Sequence, residues 1–206
     1  MLSKTFFIAD LHFGHKNSLA FDNREFKSIE EHDAFLIEQW NSVVGIDDDV
    51  WILGDISWYP PVKTISIFNQ LNGIKHLIIG NHDKKLIRNK DVRALFAEIT
   101  DYKEISYGDK KGIILCHYPI PCFNMHYYGW YHLYGHVHNS TEYNLMKHIK
   151  YLIQSSHKKP CYMYNVGCML PEMNYTPRTI EEIIQLFHDE IVEEENEESM
   201  VNNGGV

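Results

Sequence analysis

The segment His-Leu-Ile-Ile-Gly-Asn-His-Asp, residues 76–83, joins a short apolar run to residues that can turn the chain and bind a metal. An apolar run of this length that ends at a glycine is typical of a buried strand. Asparagine, histidine and aspartate, which follow the glycine, all carry metal-ligand atoms. The segment therefore predicts a strand of a parallel sheet that delivers polar side chains at its carboxyl end.

The same arrangement of an apolar run followed by polar residues occurs at four further places. The runs are 6–9 before Asp10 and His12, 50–53 before Gly54 and Asp55, 113–116 before His117, and 132–134 before Gly135, His136 and His138. Helical spacing over 28–44 and 62–71 separates the first three strands, which favours a parallel sheet. Ligand sites of open α/β sheets lie beyond the carboxyl ends of the strands, so one shared site is predicted.

The second half of the chain predicts a second sheet. Residues 99–116, with a glycine-bounded turn at 108–112, favour a β-hairpin. An amphipathic helix is expected over 141–154, followed by a strand near 161–166. A short helix at 91–97 and a helix capped by Thr179 and Glu182, extending to about residue 192, complete the elements. We expect an α/β fold whose second sheet has more antiparallel character.

Length and composition favour one folded domain. The chain has 206 residues, of which 44% are hydrophobic and 23% charged, within the range of globular proteins. We assign residues 1–192 to a single domain. Residues 193–206 are acidic and then rich in asparagine and glycine, so this tail is expected to be disordered.

Charge and cysteine content bear on partners and compartment. The formal net charge of −9 argues against strong non-specific binding of nucleic acid, which depends on many lysines and arginines. No stretch approaches the roughly 20 apolar residues of a membrane span, and the four cysteines lack a CxxC spacing. We expect reduced thiols, no membrane association and a cytoplasmic location. The oligomeric state is left unknown.

The polar residues at the strand ends have the chemistry of a transition-metal site. Imidazole, carboxylate and amide oxygen together suit Mn, Fe, Zn, Ni or Co, whereas sites without histidine favour Mg or Ca. Two cations about 3.5 to 4 Å apart need a shared anion, and Asp55 is the candidate for that bridge. Bound divalent ions would also supply the positive charge that an anionic substrate needs in an acidic protein.

The motifs form an ordered series, which runs Asp10-x-His12, Gly54-Asp55, Gly80-Asn81-His82-Asp83, His117 and Gly135-His136-x-His138. This series resembles the calcineurin-like metallophosphoesterase superfamily, and its extension to His15 is similar to a small bacterial and phage-borne branch. The motifs span about two-thirds of the chain, and Gly-Asn-His-Asp is the most specific of them. The resemblance implies an αββα two-sheet sandwich flanked by helices, with two metals at the strand ends.

The resemblance also implies a role for each residue of the series. One ion would be bound by Asp10, His12, Asp55 and His138, and the other by Asp55, Asn81, His117 and His136. His82 would stand beside the substrate without binding a metal, and Asp83 would orient His82. Of the transition metals, Mn is the one most expected.

The reaction expected of such a site is phosphoester hydrolysis. A hydroxide bridging two metals would attack phosphorus, since metal binding can lower the pKa of water from 15.7 to about 7. His82 would protonate the leaving oxygen as a general acid. We therefore expect a metal-dependent phosphoesterase that hydrolyses a small phosphate ester. A phosphodiester, with a nucleotide as one candidate, is slightly favoured over a monoester.

Several residues beyond the ligand series are candidates for substrate contact. His15 either faces the substrate or serves as a hydrogen-bonded turn residue. Arg24 either clamps a phosphate in bidentate fashion or forms a surface ion pair. The unusually aromatic segment 118–134 either stacks a nucleobase or packs onto the domain. Trp58, near where many relatives have an acidic residue, is expected to line the pocket.

Three alternative functions remain open at this point. A phosphomonoesterase would use the same ligands. A scaffold protein would retain the fold for protein contacts, although scaffold relatives tend to lose the catalytic histidine and His82 is present. An oligonucleotide nuclease is the third alternative, which the acidic composition disfavours.

Overall fold

The computed structural model describes residues 3–187. The expected end of the last helix, beyond residue 187, and the tail 193–206 lie outside these residues. The strands are β1 Thr5–Ile8, β2 Asp49–Leu53, β3 Ile74–Ile78, β4 Glu98–Thr100, β5 Tyr102–Tyr107, β6 Lys111–Cys116, β7 Tyr131–Tyr134, β8 Tyr162–Asn165 and β9 Arg178–Thr179. The helices are α1 Lys16–Phe21, α2 Ile29–Val43, α3 Pro61–Phe68, α4 Lys90–Arg93, α5 Thr141–His157 and α6 Ile180–Leu186.

The first sheet has the strand order β4-β3-β2-β1-β9. Strands β1 to β4 are parallel, and β9 pairs antiparallel with β1. The helices α2 and α3 connect β1 to β2 and β2 to β3, as the spacing of apolar residues predicted. The three strands that precede Asp10, Asp55 and Asn81 are therefore neighbours.

Both faces of the first sheet are covered, which explains why its strands are continuous apolar runs. Phe7 and Leu53 point into the core between the two sheets. Phe6 and Ile8 point the other way, into a core that includes Trp40 of α2 and residues of α3. Successive side chains of a strand alternate between faces, so one strand contributes to both cores. The expected two-sheet sandwich flanked by helices is confirmed.

The second sheet has the order β5-β6-β7-β8 and is mixed. Only the β5–β6 hairpin is antiparallel, whereas β6–β7 and β7–β8 are parallel. The helix α5, of 17 residues, connects β7 to β8, and a helical crossover of this kind returns the chain in the same direction. The antiparallel character that we expected is thus limited to the hairpin.

The expected hairpin over 99–116 contains a switch between sheets. Ile99 belongs to β4, which pairs parallel with β3 in the first sheet. The hairpin begins at Tyr102, opposite Cys116 in the second sheet. One continuous stretch of strand-like residues therefore serves both sheets, with Asp101 at the crossing. The short helix at 91–97 is also corrected, to Lys90–Arg93.

Two short elements near the edges were not expected. The helix α1 begins directly after the first metal motif, and β9 adds an antiparallel edge to the first sheet. At the end of β9, Thr179 and Glu182 form the capping box that the sequence predicted for α6. Within residues 3–187, no helix has both the length and the apolar character needed to cross a bilayer.

Candidate metal centre

The carboxyl ends of strands from both sheets meet at one edge of the sandwich. Backbone hydrogen bonds hold these ends together, because the Asp10 N–H donates to Gly54 O over 3.1 Å and the Gly135 N–H donates to His117 O over 3.0 Å. A further bond, from the Ala9 N–H to Val166 O, joins the end of β1 to the end of β8 over 2.8 Å. The two sheets therefore share a single rim.

Five of the candidate ligands have a left-handed backbone, an uncommon conformation for residues other than glycine. The φ angles are 56° at Asp10, 53° at His12, 56° at Asp55, 70° at His136 and 48° at His138. Such conformations cost of order 1 to 3 kcal/mol each and cluster at functional sites, where the surroundings hold them. The chain therefore turns away from the strand direction at the candidate ligands themselves.

Two glycines permit the close approach of the two sheets at this rim. A Cβ atom at Gly54, where φ is +85°, would overlap the His117 ring. A Cβ atom at Gly135 would lie 2.6 Å from Oδ2 of Asp10. Any larger residue at either position would push a candidate ligand away.

The carboxylate of Asp55 lies between two imidazoles. Its Oδ2 is 3.7 Å from Nε2 of His12 and 3.7 Å from Nε2 of His117. On the other side of the site, Oδ1 of Asp10 is 3.8 Å from Nε2 of His138. These separations are too long for hydrogen bonds, but they suit atoms that bind a common ion.

The ligand atoms form two overlapping groups whose members all lie within 4.8 Å of one another. The groups are Asp10 with His12 and His138, and Asp10 with Asp55 and His117. The side-chain oxygen of Asn81 extends the second group, because its Oδ1 is 2.9 Å from Nε2 of His117 and 3.0 Å from Nδ1 of His136. All seven predicted ligands are thus in one cluster.

The protonation states of His12 and Asp10, and a ring nitrogen of His12 that lacks a hydrogen-bond partner, are compatible with a bound divalent cation. Nε2 of His12 is buried and has no hydrogen-bond partner among the described residues. Burial lowers the pKa of His12 to about 3, so its ring is neutral, as a metal ligand must be. Burial also raises the pKa of Asp10 to about 6, although the His138 and His117 rings oppose the rise. A bound cation would offset this cost of burying a carboxylate.

Asp22 holds the His138 ring from behind. Its Oδ1 accepts a hydrogen bond from Nδ1 of His138 over 2.7 Å, which leaves Nε2 of His138 facing Asp10. Burial is the largest influence on His138 and lowers its pKa, but the bond to Asp22 together with the charges of Asp10 and Asp22 outweighs burial, so the pKa of the ring is raised. Asp22 was not among the site residues predicted from the sequence. The available signal was an aspartate two residues before Arg24, in the segment after the first motif.

Arg24 has neither of the roles that we considered, because it is buried beneath the first motif with 4% of its surface exposed. Its guanidinium pairs with Oδ2 of Asp22 at 2.8 Å and donates to the backbone oxygen of Asp10 at 3.3 Å. A further nitrogen of the group lies 2.9 Å from Nε2 of His32. A phosphate clamp and a surface ion pair are both incompatible with this burial, so Arg24 supports the site from below.

Asp83 differs from its expected role of orienting the His82 ring. Its carboxylate accepts hydrogen bonds from three backbone N–H groups, those of Gly80 at 2.8 Å and of Asp55 and Ile56 at 2.9 Å each. Asp83 therefore ties the loop after β2 to the loop after β3. These hydrogen bonds fix the backbone that carries Asp55. Asp83 therefore influences the position of His82 only through the backbone.

His82, His15 and Trp58 line the open side of a pocket of about 240 Å³ above the ligands. The His82 side chain is 52% exposed, and its Nε2 is 4.0 Å from Oδ2 of Asp55. The Trp58 ring lies between the two histidines, 4.6 Å from the His82 ring and stacked on the His15 ring at 4.0 Å. The expectation that Trp58 lines the pocket is confirmed.

The aromatic segment 118–134 mainly packs onto the domain. Phe123 and Tyr131 are buried, and Tyr128 points to solvent away from the pocket lining. Tyr118 contacts a candidate ligand, with its ring 4.7 Å from that of His136. His132 is a buried structural residue whose ring bonds to the backbone groups of Ile114 and Ile120.

Two helix-flanked sheets with candidate aspartate and histidine ligands at their shared rim match the metallophosphoesterase type of α/β sandwich. A solved structure of the same fold is that of the protein of unknown function AQ665 from Aquifex aeolicus, with 26% identity and a TM-score of 0.67. The likeness covers 89% of this chain and 99% of that chain.

Curated relatives identify the family. The uncharacterized protein MJ1445 of Methanocaldococcus jannaschii is 34% identical over 139 residues, which cover 66% of this chain and 70% of that protein. The chain belongs to the family of this archaeal protein.

A relative from a virus also matches the chain. The Gene 66 protein of Mycobacterium phage L5 is 38% identical over 134 residues, or 57% of this chain. The chain spans 64% of the length of that phage protein, less than two-thirds. No protein-family model matches the chain.

A more distant solved structure is nuclease MPE from Pseudomonas putida, with 20% identity and a TM-score of 0.41. That likeness covers 65% of this chain and 60% of the nuclease.

Proposed function

We propose that this protein is a calcineurin-like metallophosphoesterase of the small bacterial and phage type, which hydrolyses a small phosphodiester with two divalent transition-metal ions. The observation that carries the proposal is the cluster of seven metal-competent side chains beside an exposed histidine, His82. Asp10, His12, Asp55 and His117 are buried, whereas Asn81, His136 and His138 are partly exposed and line the pocket of about 240 Å³ beside them.

The residues would divide between two ions as the family resemblance implies. Asp10, His12, Asp55 and His138 would hold one, and Asp55, Asn81, His117 and His136 the other. The position of Asp55, with Oδ2 at 3.7 Å from a histidine of each set, supports its role as the shared ligand. When bound, the ions would polarise the phosphate oxygens and lower the pKa of coordinated water. Mn²⁺ suits this mixture of imidazole and oxygen ligands.

His82 would donate a proton to the leaving oxygen. Its side chain is 52% exposed and carries Nε2 at 4.0 Å from Oδ2 of Asp55, so it reaches the pocket without being enclosed by the ligand cluster. The Trp58 ring limits its movement on one side. Proton donation by a positioned histidine contributes about 10² to 10⁴ in rate.

Elemental analysis, paired with hydrolysis of bis-p-nitrophenyl phosphate in added Mn²⁺, tests the proposal. We expect two metals per wild-type chain and Mn²⁺-dependent hydrolysis. Asp55→Asn should lose metal and activity together, because the shared carboxylate is removed. His82→Ala should keep both metals while its turnover falls by about 10² to 10⁴, since only the proton donor is lost.

Asp49→Asn is the matched control for the first variant, because Asp49 lies at the opposite end of the same strand and pairs with His76. It should match the wild type in both measurements. Metal binding without hydrolysis of this substrate, of p-nitrophenyl phosphate or of cyclic nucleotides would contradict the proposed activity. Loss of both metals in His82→Ala would contradict the role of His82.

A further inference from the structure

A second cavity, of about 510 Å³, opens directly beside the candidate metal centre. Trp58 and His82 line both cavities, so the two are adjacent and share these side chains as walls. The remaining walls are mainly apolar and flat, formed by Tyr59, Pro60, Pro61 and Leu86. Its volume falls within the range of sites for small organic ligands.

The position of His82 tells which part of a substrate would occupy this second cavity. This inference rests on the proposed function, in which His82 protonates the leaving oxygen. A phosphate above the ligand cluster would then have its leaving group on the His82 side. The second cavity is on that side, so it would receive the leaving group of a phosphodiester.

The walls favour a planar aromatic leaving group that carries further negative charge. Trp58 and Tyr59 bring aromatic rings to the cavity wall. One face of Trp58 is already stacked on the His15 ring, so a base would contact the remaining ring surface of Trp58 and the ring of Tyr59. Such contacts tolerate any nucleobase. Lys85 stands at the cavity wall, and Nζ of Lys63 lies 5.7 Å from the centre of the Tyr59 ring. Two cations therefore flank the aromatic surface.

Positive charge continues along the chain from this cavity. Residues 84–93 contain five cations, Lys84, Lys85, Arg88, Lys90 and Arg93, against one acid, Asp91. The side chains of Lys84, Lys85 and Arg88 are exposed, and none of the five cations forms an ion pair within residues 3–187. In a chain of net charge −9, this is a local region of the opposite sign.

We infer that the second cavity and the basic segment 84–93 form a binding site for the leaving-group side of a single-stranded oligonucleotide. The base next to the cleaved phosphodiester would lie against Trp58 and Tyr59. The following phosphates would contact Lys85 and its basic neighbours. The short basic segment allows local binding of nucleic acid without the broad affinity that the net charge disfavours.

Binding of a hydrolysis-resistant probe tests this site separately from turnover. The probe is a fluorescein-labelled thymidine tetranucleotide with phosphorothioate linkages, and its Kd is measured by fluorescence anisotropy on the Mn²⁺-loaded full chain. Lys85→Gln should weaken binding by about tenfold and reduce the slope of log Kd against log salt concentration by about 0.7, as loss of one contact to a single strand does.

Lys159→Gln is the matched control, because Lys159 is an exposed lysine beyond the end of α5 and outside both cavities. It should leave Kd and the salt slope unchanged. Equal effects of the two variants, or no measurable binding by the wild type, would overturn the oligonucleotide site.

Hydrolysis of bis-p-nitrophenyl phosphate by the same proteins separates the two proposals. If that activity is absent but the probe binds and Lys85→Gln weakens it, the phosphoesterase proposal fails while the binding site stands. If the activity is present, the ratio of kcat/KM for unmodified thymidine tetranucleotide to that for bis-p-nitrophenyl phosphate should fall in Lys85→Gln. An unchanged ratio would overturn the leaving-group assignment.

Discussion

Two cavities lie at opposite ends of the parallel strands, and they differ in how their charges are arranged. The larger, of about 670 Å³, is at the amino ends. There, Nε2 of His76 is 2.7 Å from Oδ1 of Asp49, and Nζ of Lys103 is 2.7 Å from Oε1 of Glu98. Four of its titratable side chains are thus paired with one another, and Glu181 and Glu182 accept hydrogen bonds from the Tyr107 hydroxyl and the Thr179 N–H.

The smaller cavity, of about 240 Å³ at the carboxyl ends, has the opposite arrangement. Asp10 and Asp55 are buried close together, no lysine or arginine lines the cavity, and Nε2 of His12 has no hydrogen-bond partner in the described structure. The difference teaches that buried carboxylates with no lysine or arginine paired to them, rather than the volume of a cavity, indicate where a cation is required.

The largest expected effect is the rise in thermal stability when metal is added, which should depend on residues of the smaller cavity and not on those of the larger. At about 100 times its Kd, Mn²⁺ should stabilise the fold by about 2.7 kcal/mol per ion bound. For a chain of this length, each ion would raise Tm by about 5 to 10 °C. Asp10→Asn should lose most of the shift, whereas Glu98→Gln in the larger cavity should keep it. Calorimetry in chelator and in Mn²⁺ measures both, and an undiminished shift in Asp10→Asn would place the ions elsewhere.

The pH dependence of stability should sharpen the contrast between histidines that pair with carboxylates and one that does not. Burial lowers the pKa of His132 from 6.5 to about 4. The unfolded chain therefore binds a proton that the folded chain excludes between these values. The contribution of His132 is complete above pH 6.5 and falls as the pH drops to about 4, by up to about 3 kcal/mol.

Urea unfolding at pH 7 and pH 5 measures this contribution. His132→Gln should be less stable at pH 7, because its backbone partners lose the ring, and its stability should change less between the two pH values. His148→Gln, at an exposed histidine of α5, should retain the wild-type difference. Equal pH dependence in the wild type and His132→Gln would show that other groups cause the acid sensitivity.

The smallest expected effect compares two Asp–His pairs. Asp22–His138 and Asp49–His76 have the same distance of 2.7 Å, but only the second nitrogen of His138 faces a candidate ligand carboxylate. Asp22→Asn should weaken Mn²⁺ binding by about 10- to 100-fold, as loss of a partner behind a metal-bound histidine does. Asp49→Asn should not change it. Isothermal titration with Mn²⁺ measures both, and equal affinities for the two variants would show that Asp22 does not position His138.

The convergence of the seven candidate ligands could be predicted from the sequence because each follows a short apolar strand, and parallel strands share a rim. The features that the sequence did not predict have physical causes. Asp22 and His138 are 116 positions apart, so their hydrogen bond depends on how α1 folds back over the first motif. The burial of Arg24 is equally hidden, because an arginine is expected at the surface unless its partners are known. At Asp101 the chain changes sheets without a glycine or proline to mark the crossing.

The left-handed backbone at five ligand positions has a consequence for the inheritance and engineering of this protein. Glycine or asparagine would adopt the same angles at lower cost, so a redesign guided by thermal resistance alone would favour them at positions 10, 12, 55, 136 and 138. Such a redesign would raise thermal stability and remove the candidate metal-binding side chains. The aspartates and histidines at these turns therefore lower stability locally while they supply the candidate metal-binding atoms.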